Sequence, residues 1–391
     1  MKLLCIVDSY FPFGAAISGR VNSFCEMFSK MGYLVHVVAQ YTKKQDIEVG
    51  KIYSINDYTY QIASVREPSF IDTYVSDKSF KKIIVDCLVK NDYDIVFSLS
   101  CSMYFSMIRR LTLNKRIPYF IEQCEWQDIS NYRFGQLDPR YKRIVYLRSK
   151  GYKQADGIIA ISKLLELHYK KQGIRTIRIP TILDVKSINP KLTMPVETKI
   201  SIVYTGNPGK SKEFLKPIIE CLSMNPHIRE KIDFHIYGPN KKTVIDNIGQ
   251  DELLERAGES VVIHGYVPQE KIKDIIADAH FQIFVRPKRR SSDAGFPTKL
   301  GESMTVGTPV ITNETGDICD YLRDGINGFL LHGNETQDVK FAMERIISLN
   351  PSDYYQLRIN ARKTAERWFD YRNYMNDIKT LFDGCSNLGE N

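Results

Sequence analysis

The densest set of chemistry-bearing residues in this chain of 391 residues lies between Arg286 and Glu302. Phe296, Pro297, Thr298 and Lys299 read as the start of a helix that Gly307 and Pro309 end just before an apolar strand. The first N–H groups of a helix have no partner within it and, with the helix dipole, hold an anion. Thr298 and Lys299 would stand in that first turn, and Arg286 would close the preceding strand, Gln282 to Val285. Glu302 falls one turn in, where a carboxylate can accept two hydroxyl hydrogen bonds from a ribose; a solvated helix Glu is the alternative. A second cationic stretch, Gly206-Asn207-Pro208-Gly209-Lys210-Ser211-Lys212, follows the apolar run Ile200 to Tyr204. Near the start of the chain, Gly19 would let the backbone approach a phosphate closely, and Arg20 would bind that phosphate or lie on the surface. Glu122 and Glu125 follow the run Tyr119 to Ile121 and could each orient a hydroxyl or serve as plain loop carboxylates. Trp126 reads as packing.

The elements that must position these residues are repeated βα units. Short apolar runs alternate with helical periodicity, which points to a doubly wound α/β fold around parallel sheets. In the first half the strands are expected at Leu3 to Val7, Leu34 to Ala39, Ile95 to Leu99, Tyr119 to Ile121 and Gly157 to Ile161. Val21, Phe24, Cys25 and Phe28 repeat at helical spacing and read as core. After a Pro-containing stretch the series restarts, with strands at Ile200 to Tyr204, Phe234 to Tyr237, Val261 to His264, Gln282 to Val285 and Pro309 to Ile311. Gly206, Gly238, Gly265 and Pro287 end successive strands and put loops at their carboxyl ends, where open α/β sheets bind ligands. The expected division is a first domain over 1–182, joined by the C-terminal helix 371–391, and a second over 183–370, with the site in the cleft between them.

Composition narrows the class. Residues 1–185 hold 27 Lys and Arg against 18 Asp and Glu, and the remainder holds 27 against 28, so the first half is the basic one. Clusters such as Arg109, Arg110, Lys115, Arg116 and Arg140, Lys142, Arg143, Arg148 suit an anionic partner, an anionic membrane surface included, or a solvated basic face. No nucleic-acid reader motif accompanies them, so no nucleic-acid partner is expected. No apolar run approaches the roughly 18 to 20 residues that span a bilayer. The opening residues read as a strand. Eight cysteines lie scattered without a C-x-x-C pair, as reduced core thiols do, which places the expected location in the cytoplasm, or peripherally at the inner face of the cell membrane. No metal ligands are expected.

Ala294-Gly295-Phe296, Glu302-Ser303-Met304 and Gly307-Thr308-Pro309-Val310 together resemble the fingerprint of the retaining glycosyltransferases of family 4 (glycosyl transferases group 1), which have the GT-B fold of two Rossmann-like domains. The resemblance extends to Val203–Lys212, Phe234–Gly238, His264–Val267, Asp324–Phe329, Ala155–Lys163 and Glu125-Trp126, the last two resembling enzymes of capsular and surface polysaccharide biosynthesis. It implies a nucleotide diphosphate sugar, by expectation a UDP-sugar, in the second domain. The acceptor, a glycan or polyprenyl-diphosphate-linked saccharide, would bind the first. By matching position Glu302 binds ribose and Lys212 neutralises the diphosphate, with Lys210 a close substitute. Gly19, Asn207, Tyr237, Gly238, Tyr266, Val267, Thr298 and Lys299 would line the donor, while Arg286 and Glu125 would join Lys212 and Glu302 in the reaction. Two positions depart from the family pattern: Asn207 stands where Arg is usual and Ala294 where Glu is usual, and Arg286 or Lys299 would supply the missing positive charge. Transfer would then be metal-independent, without a cofactor, with retention, the departing diphosphate helping to deprotonate the acceptor. An epimerase or hydrolase on the same plan, and a non-catalytic sugar-nucleotide-binding partner subunit, are the competing readings.

Overall fold

Two parallel sheets form around apolar runs whose residues are buried on both faces, as parallel strands covered by helices require. A computed structural model describes residues 1–14, 16–44, 46–99, 101–193, 199–209 and 212–384. The chain divides into two units, residues 1–183 with 371–391, and residues 184–370.

The first unit holds β1 (Lys2–Tyr10), β2 (Leu34–Tyr41), β3 (Ile52–Ile55), β4 (Tyr58–Ser64), β5 (Ile95–Leu99), β6 (Tyr119–Gln123), β7 (Gly157–Ala160) and β8 (Thr176–Arg178). Their order is β3-β4-β2-β1-β5-β6-β7-β8. All neighbours are parallel except the β3-β4 pair. That hairpin turns at Asn56, whose φ is 50°. The sequence pattern does not announce it, because Ile52–Ile55 alternates half-buried and exposed residues at the sheet edge. The helix Ala16–Lys30 buries Val21, Phe24, Cys25 and Phe28 in the core of this unit, and the final helix, Met375–Asp383, docks Phe382 on Phe28 and Phe120 at ring distances of 5.8 and 4.5 Å.

The second unit holds β9 (Ile200–Thr205), β10 (Ile232–Tyr237), β11 (Val261–Gly265), β12 (Phe281–Phe284), β13 (Val310–Asn313) and β14 (Gly328–Leu331), ordered β11-β10-β9-β12-β13-β14 and all parallel. In both sheets the strand order reverses once, between β1 and β5 and between β9 and β12. A reversal splays the following loops to opposite faces and opens a crevice at the carboxyl ends of the strands.

Candidate functional site

In the second unit the loops after β9 and β12 flank that reversal, and they carry most of the candidate residues. After β9, Asn207 turns the chain by accepting the Gly209 N–H on Oδ1 at 2.9 Å. Asn247 pins this loop, donating from Nδ2 to the carbonyls of Gly209 and Glu213 at 3.1 and 3.0 Å. Lys212 lies exposed on it. Lys210 falls outside the described residues. The next loop packs directly on this one: Gly206 donates to the Tyr237 carbonyl at 2.9 Å, and Gly238 donates to the Gly265 carbonyl at 2.7 Å. Gly238 has φ of 115°, and a Cβ there would sit 2.3 Å from the Gly206 carbonyl oxygen. Only glycine fits this junction.

Beyond it, the half-buried Tyr237 ring stacks on His264 with centroids 4.1 Å apart, and His264 Nε2 lies 3.1 Å from His235 Nδ1. Burial, and then His235, hold the His264 imidazole below its ordinary pKa. Tyr266 is 84% exposed and Val267 half-buried at the end of β11.

On the β12 side, Arg286 is 7% exposed. Its backbone is clamped by Asn313, which accepts the Arg286 N–H at 2.8 Å and donates to its carbonyl at 2.7 Å. Its Nη1 donates to Thr315 Oγ1 at 3.2 Å, and no carboxylate among the described residues lies within 4.0 Å of it. Ala294 is buried and Asp293 Oδ1 accepts the Gly316 N–H at 2.8 Å, so that carboxylate is committed to joining two loops. The helix expected after Pro297 runs Thr298–Thr305, with Thr298 half-buried at its start. Glu302 is partly buried on it, and burial pushes its carboxyl above the ordinary pKa against the pull of Lys299 and Lys273.

Lys299 departs from expectation. Instead of presenting a free charge to a phosphate, its Nζ donates to Glu213 Oε2, which also accepts the Tyr204 hydroxyl at 2.5 Å. The ammonium lies 4.4 Å from the centre of the Tyr204 ring, and the two side chains of the ion pair are only 12% and 4% exposed. Burial pushes Glu213 up, but Lys299, Tyr204 and Lys212 outweigh it and hold the carboxyl below its usual range. Glu213 is the residue that sequence spacing missed; its position directly after Lys212 is the only signal.

In the first unit Arg20 is neither a surface residue nor free for a phosphate. Its Nε donates to Glu122 Oε1 at 2.6 Å, and Nη1 and Nη2 donate to the Pro180 and Ile179 carbonyls at 2.6 and 2.9 Å. Gly19 stands inside the helix Ala16–Lys30, not in the loop before it, and no heavy atom lies within 4 Å of a Cβ built there. Glu122 is buried with Oε2 lacking a hydrogen bond, and it lines a cavity of about 50 Å³ with the exposed Glu125, Gln127, Arg148 and Tyr152. Trp126 is buried beneath the Arg148 guanidinium at 3.7 Å, a packing role. A larger cavity of about 940 Å³ lies between the helix Lys78–Lys90 and β2 to β4, at the amino ends of β1 and β2. The triplet Asp92-Tyr93-Asp94 stands at that same end, where Asp94 accepts the Lys2 N–H at 2.6 Å. Among the described residues no three His, Cys, Asp or Glu side chains gather as metal ligands, and no helix is long and apolar enough to cross a membrane.

Residues 201–348 match the family model of glycosyl transferases group 1. An uncharacterized glycosyltransferase of Methanocaldococcus jannaschii is 21% identical over 99% of each chain. The sucrose-phosphate synthase of Thermosynechococcus elongatus superposes with a TM-score of 0.73 at 14% identity, covering 99% of this chain and all of that one. Anabaena HepE in complex with UDP-glucose superposes with a TM-score of 0.66 at 15% identity, again over 99% and 100% of the two chains. The chain has the GT-B fold.

Proposed function

From a GT-B chain whose second unit matches the group 1 glycosyl transferases, we propose a glycosyltransferase that moves a sugar from a UDP-sugar to a glycan or lipid-linked saccharide. One observation carries the reading: a single sheet edge, at the strand-order reversal of the second unit, gathers Lys212, Arg286, a helix start and a half-buried Glu302. The base would lie along the exposed end of β11 at Tyr266 and Val267, next to Tyr237 and Gly238. Glu302 would accept both ribose hydroxyls. The diphosphate would rest on the first N–H groups at Thr298 and beside Asn207 and Lys212. As the bond to the sugar breaks, negative charge grows on the diphosphate, and Lys212 stabilises that charge where it develops. The cations of the edge supply this neutralisation without a metal, and the departing diphosphate takes the acceptor proton on the face it leaves, which gives retention.

The first unit would hold the acceptor, with Glu125 at the rim of the Glu122 cavity. Its basic surface fits a cytoplasmic enzyme of surface polysaccharide synthesis that works at an anionic membrane. Phe70, Ile71, Phe134 and Leu137 are 55 to 76% exposed, and Arg133, Lys142 and Arg143 lie nearby in the chain. Failure to float with phosphatidylglycerol vesicles at low salt would remove the membrane from this reading.

Lys212→Ala and Glu302→Ala test the site. Each is expected to lower kcat/KM by about ten-fold or more, Lys212→Ala with an unchanged Tm. Wild-type turnover in both refutes the assignment. The neutral residues Asn207 and Ala294 favour one second reading, a non-catalytic partner subunit. UDP binding without hydrolysis or transfer by the purified chain would select it.

A further inference from the structure

We propose that the first unit carries a saccharide site of its own in the groove between the helix Lys78–Lys90 and β2 to β4, and that this groove holds a neutral stretch of glycan. The inference goes beyond the donor reading and stands on the first unit alone.

The groove lies at the amino ends of β1 and β2. β1 has nine residues, so its two ends stand roughly 26 Å apart, and the groove is separate from the crevice at the carboxyl ends of the same sheet. Its volume of about 940 Å³ stands at the upper end of the roughly 300 to 1,000 Å³ of small-ligand sites.

The floor is polar where the fold calls for apolar packing. β2 lies between β1 and β4, and parallel strands in that position are apolar on both faces. His36 breaks the run Leu34–Ala39, and its partner across the ladder on β4 is Thr59. The three polar side chains of the floor are joined in a chain. His36 Nδ1 lies 2.8 Å from Thr59 Oγ1, His36 Nε2 lies 3.3 Å from Gln61 Oε1, and Gln61 Nε2 donates to the Gly50 carbonyl at 2.9 Å. Because Gln61 Oε1 only accepts, Nε2 carries the imidazole proton and Nδ1 accepts from the Thr59 hydroxyl. Burial, against the pull of Gln61, holds this ring below its ordinary pKa and so keeps the floor neutral. Half-buried polar groups cost stability relative to apolar packing, and a ligand that hydrogen-bonds to them accounts for their presence.

The lining also selects the ligand. Gln61 keeps one N–H after donating to Gly50, and the hydroxyls of Ser54 on β3 and Ser79 on the helix have no hydrogen-bond partner among the described residues. Leu34, Val49 and Ile52 line the same groove and are 55 to 68% exposed. A pyranose presents hydroxyls around its rim and C–H bonds on its faces, and this mixture meets both. An anion is less well served: Lys2, Lys82 and Lys90 are set against Asp57 and Asp86, Lys90 pairs with Asp86 at 3.2 Å, and Lys82 stands exposed.

Saturation-transfer NMR on the full chain with glucose, galactose, mannose and N-acetylglucosamine, in the presence of excess UDP, tests the proposal. Transfer to at least one of these sugars is expected. Ser54→Trp and Ser79→Trp place an indole in the groove from its two walls at exposed positions, and each should weaken that sugar's affinity about ten-fold or more at an unchanged Tm. If one of the two variants misfolds, the other decides alone. No transfer to any of the four sugars overturns the proposal, and so does transfer that both variants leave at wild-type strength, because the sugar then sits elsewhere. Binding of glucose 6-phosphate in place of the neutral sugars, lost in Lys82→Ala, makes the groove an anion site and overturns the proposal as well. UDP affinity, read in the same samples, judges the nucleotide-sugar reading separately: a chain that binds sugar in the groove but no UDP refutes that reading and upholds this one.

Discussion

Replacing Glu213 by Ala separates a structural Lys299 from a phosphate-binding one. In the native site the Lys299 ammonium and the Glu213 carboxylate are almost fully withdrawn from water, and the Tyr204 hydroxyl completes the set. Removing the carboxylate leaves an ammonium buried beside two aromatic rings, Tyr204 and Phe284. Breaking one side of a buried pair costs about 3 to 5 kcal/mol. For a unit the size of residues 184–370, each kcal/mol lowers the melting temperature by roughly 2 to 4 °C, so a fall on the order of 10 °C is expected. The double variant Glu213→Leu with Lys299→Met removes both charges and should recover most of that loss. Melts followed by circular dichroism, with UDP titrations on each variant, give the cycle. If Glu213→Ala melts within about 2 °C of wild type, the pair is not the buried ion pair described above. If the double variant melts normally but no longer binds UDP, Lys299 does contact the nucleotide and the structural assignment is wrong. The pair also sets a pH dependence. Because Glu213 is held below the ordinary carboxylate range, its stabilisation is complete above that range and is lost as pH falls through its depressed folded-state value.

Three further outcomes follow from the same geometry. Gly238→Ala places a Cβ 2.3 Å from the Gly206 carbonyl oxygen in a left-handed backbone, so nucleotide affinity should drop at least about ten-fold, and wild-type UDP binding would contradict the packed junction of the two loops. Arg20→Met strands the buried Glu122 carboxylate, so the first unit should lose about 3 to 5 kcal/mol of stability; a variant with unchanged denaturant midpoint would return Arg20 to the surface. Glu302→Gln acts in the opposite direction on stability. Burial raises the Glu302 pKa, so the folded protein binds more protons than the unfolded chain between the ordinary carboxylate value and the raised one, and stability declines as pH rises through that window. The amide should therefore melt higher than wild type at about pH 7.5 and equally at about pH 3, below the ordinary carboxylate value, while weakening nucleotide binding. A lower melting temperature at neutral pH would contradict the burial cost.

Much of the fold was legible because local physics writes a local period. Buried parallel strands appear as unbroken apolar runs, and the expected strands all occur, with shifts of one to three residues such as Tyr119–Gln123 and Phe281–Phe284. The β3-β4 hairpin was not legible, since an edge strand buries only alternate residues and Tyr53, Ser54 and Thr59 dilute the pattern. The helix start at Thr298 and the loop positions of Asn207 and Lys212 were legible from Gly and Pro punctuation.

Partnerships were not legible. Arg20 and Glu122 are separated by 102 residues and Lys299 and Glu213 by 86, and no spacing rule links them. Arg20, Glu122 and Lys299 each looked available for a phosphate or a hydroxyl when read alone, and Glu213 drew no reading at all. The sheet order brings them together, β9 lying against β12 so that the loop holding Glu213 meets the helix holding Lys299. Sequence by itself determined which residue types stand at the ends of which elements, because propensity, periodicity and turn chemistry act over a few residues. Tertiary structure alone decided which charges are spent on the fold and which remain for a ligand. A buried charge takes the nearest compensating group in space, and that group is chosen by strand adjacency, not by position along the chain.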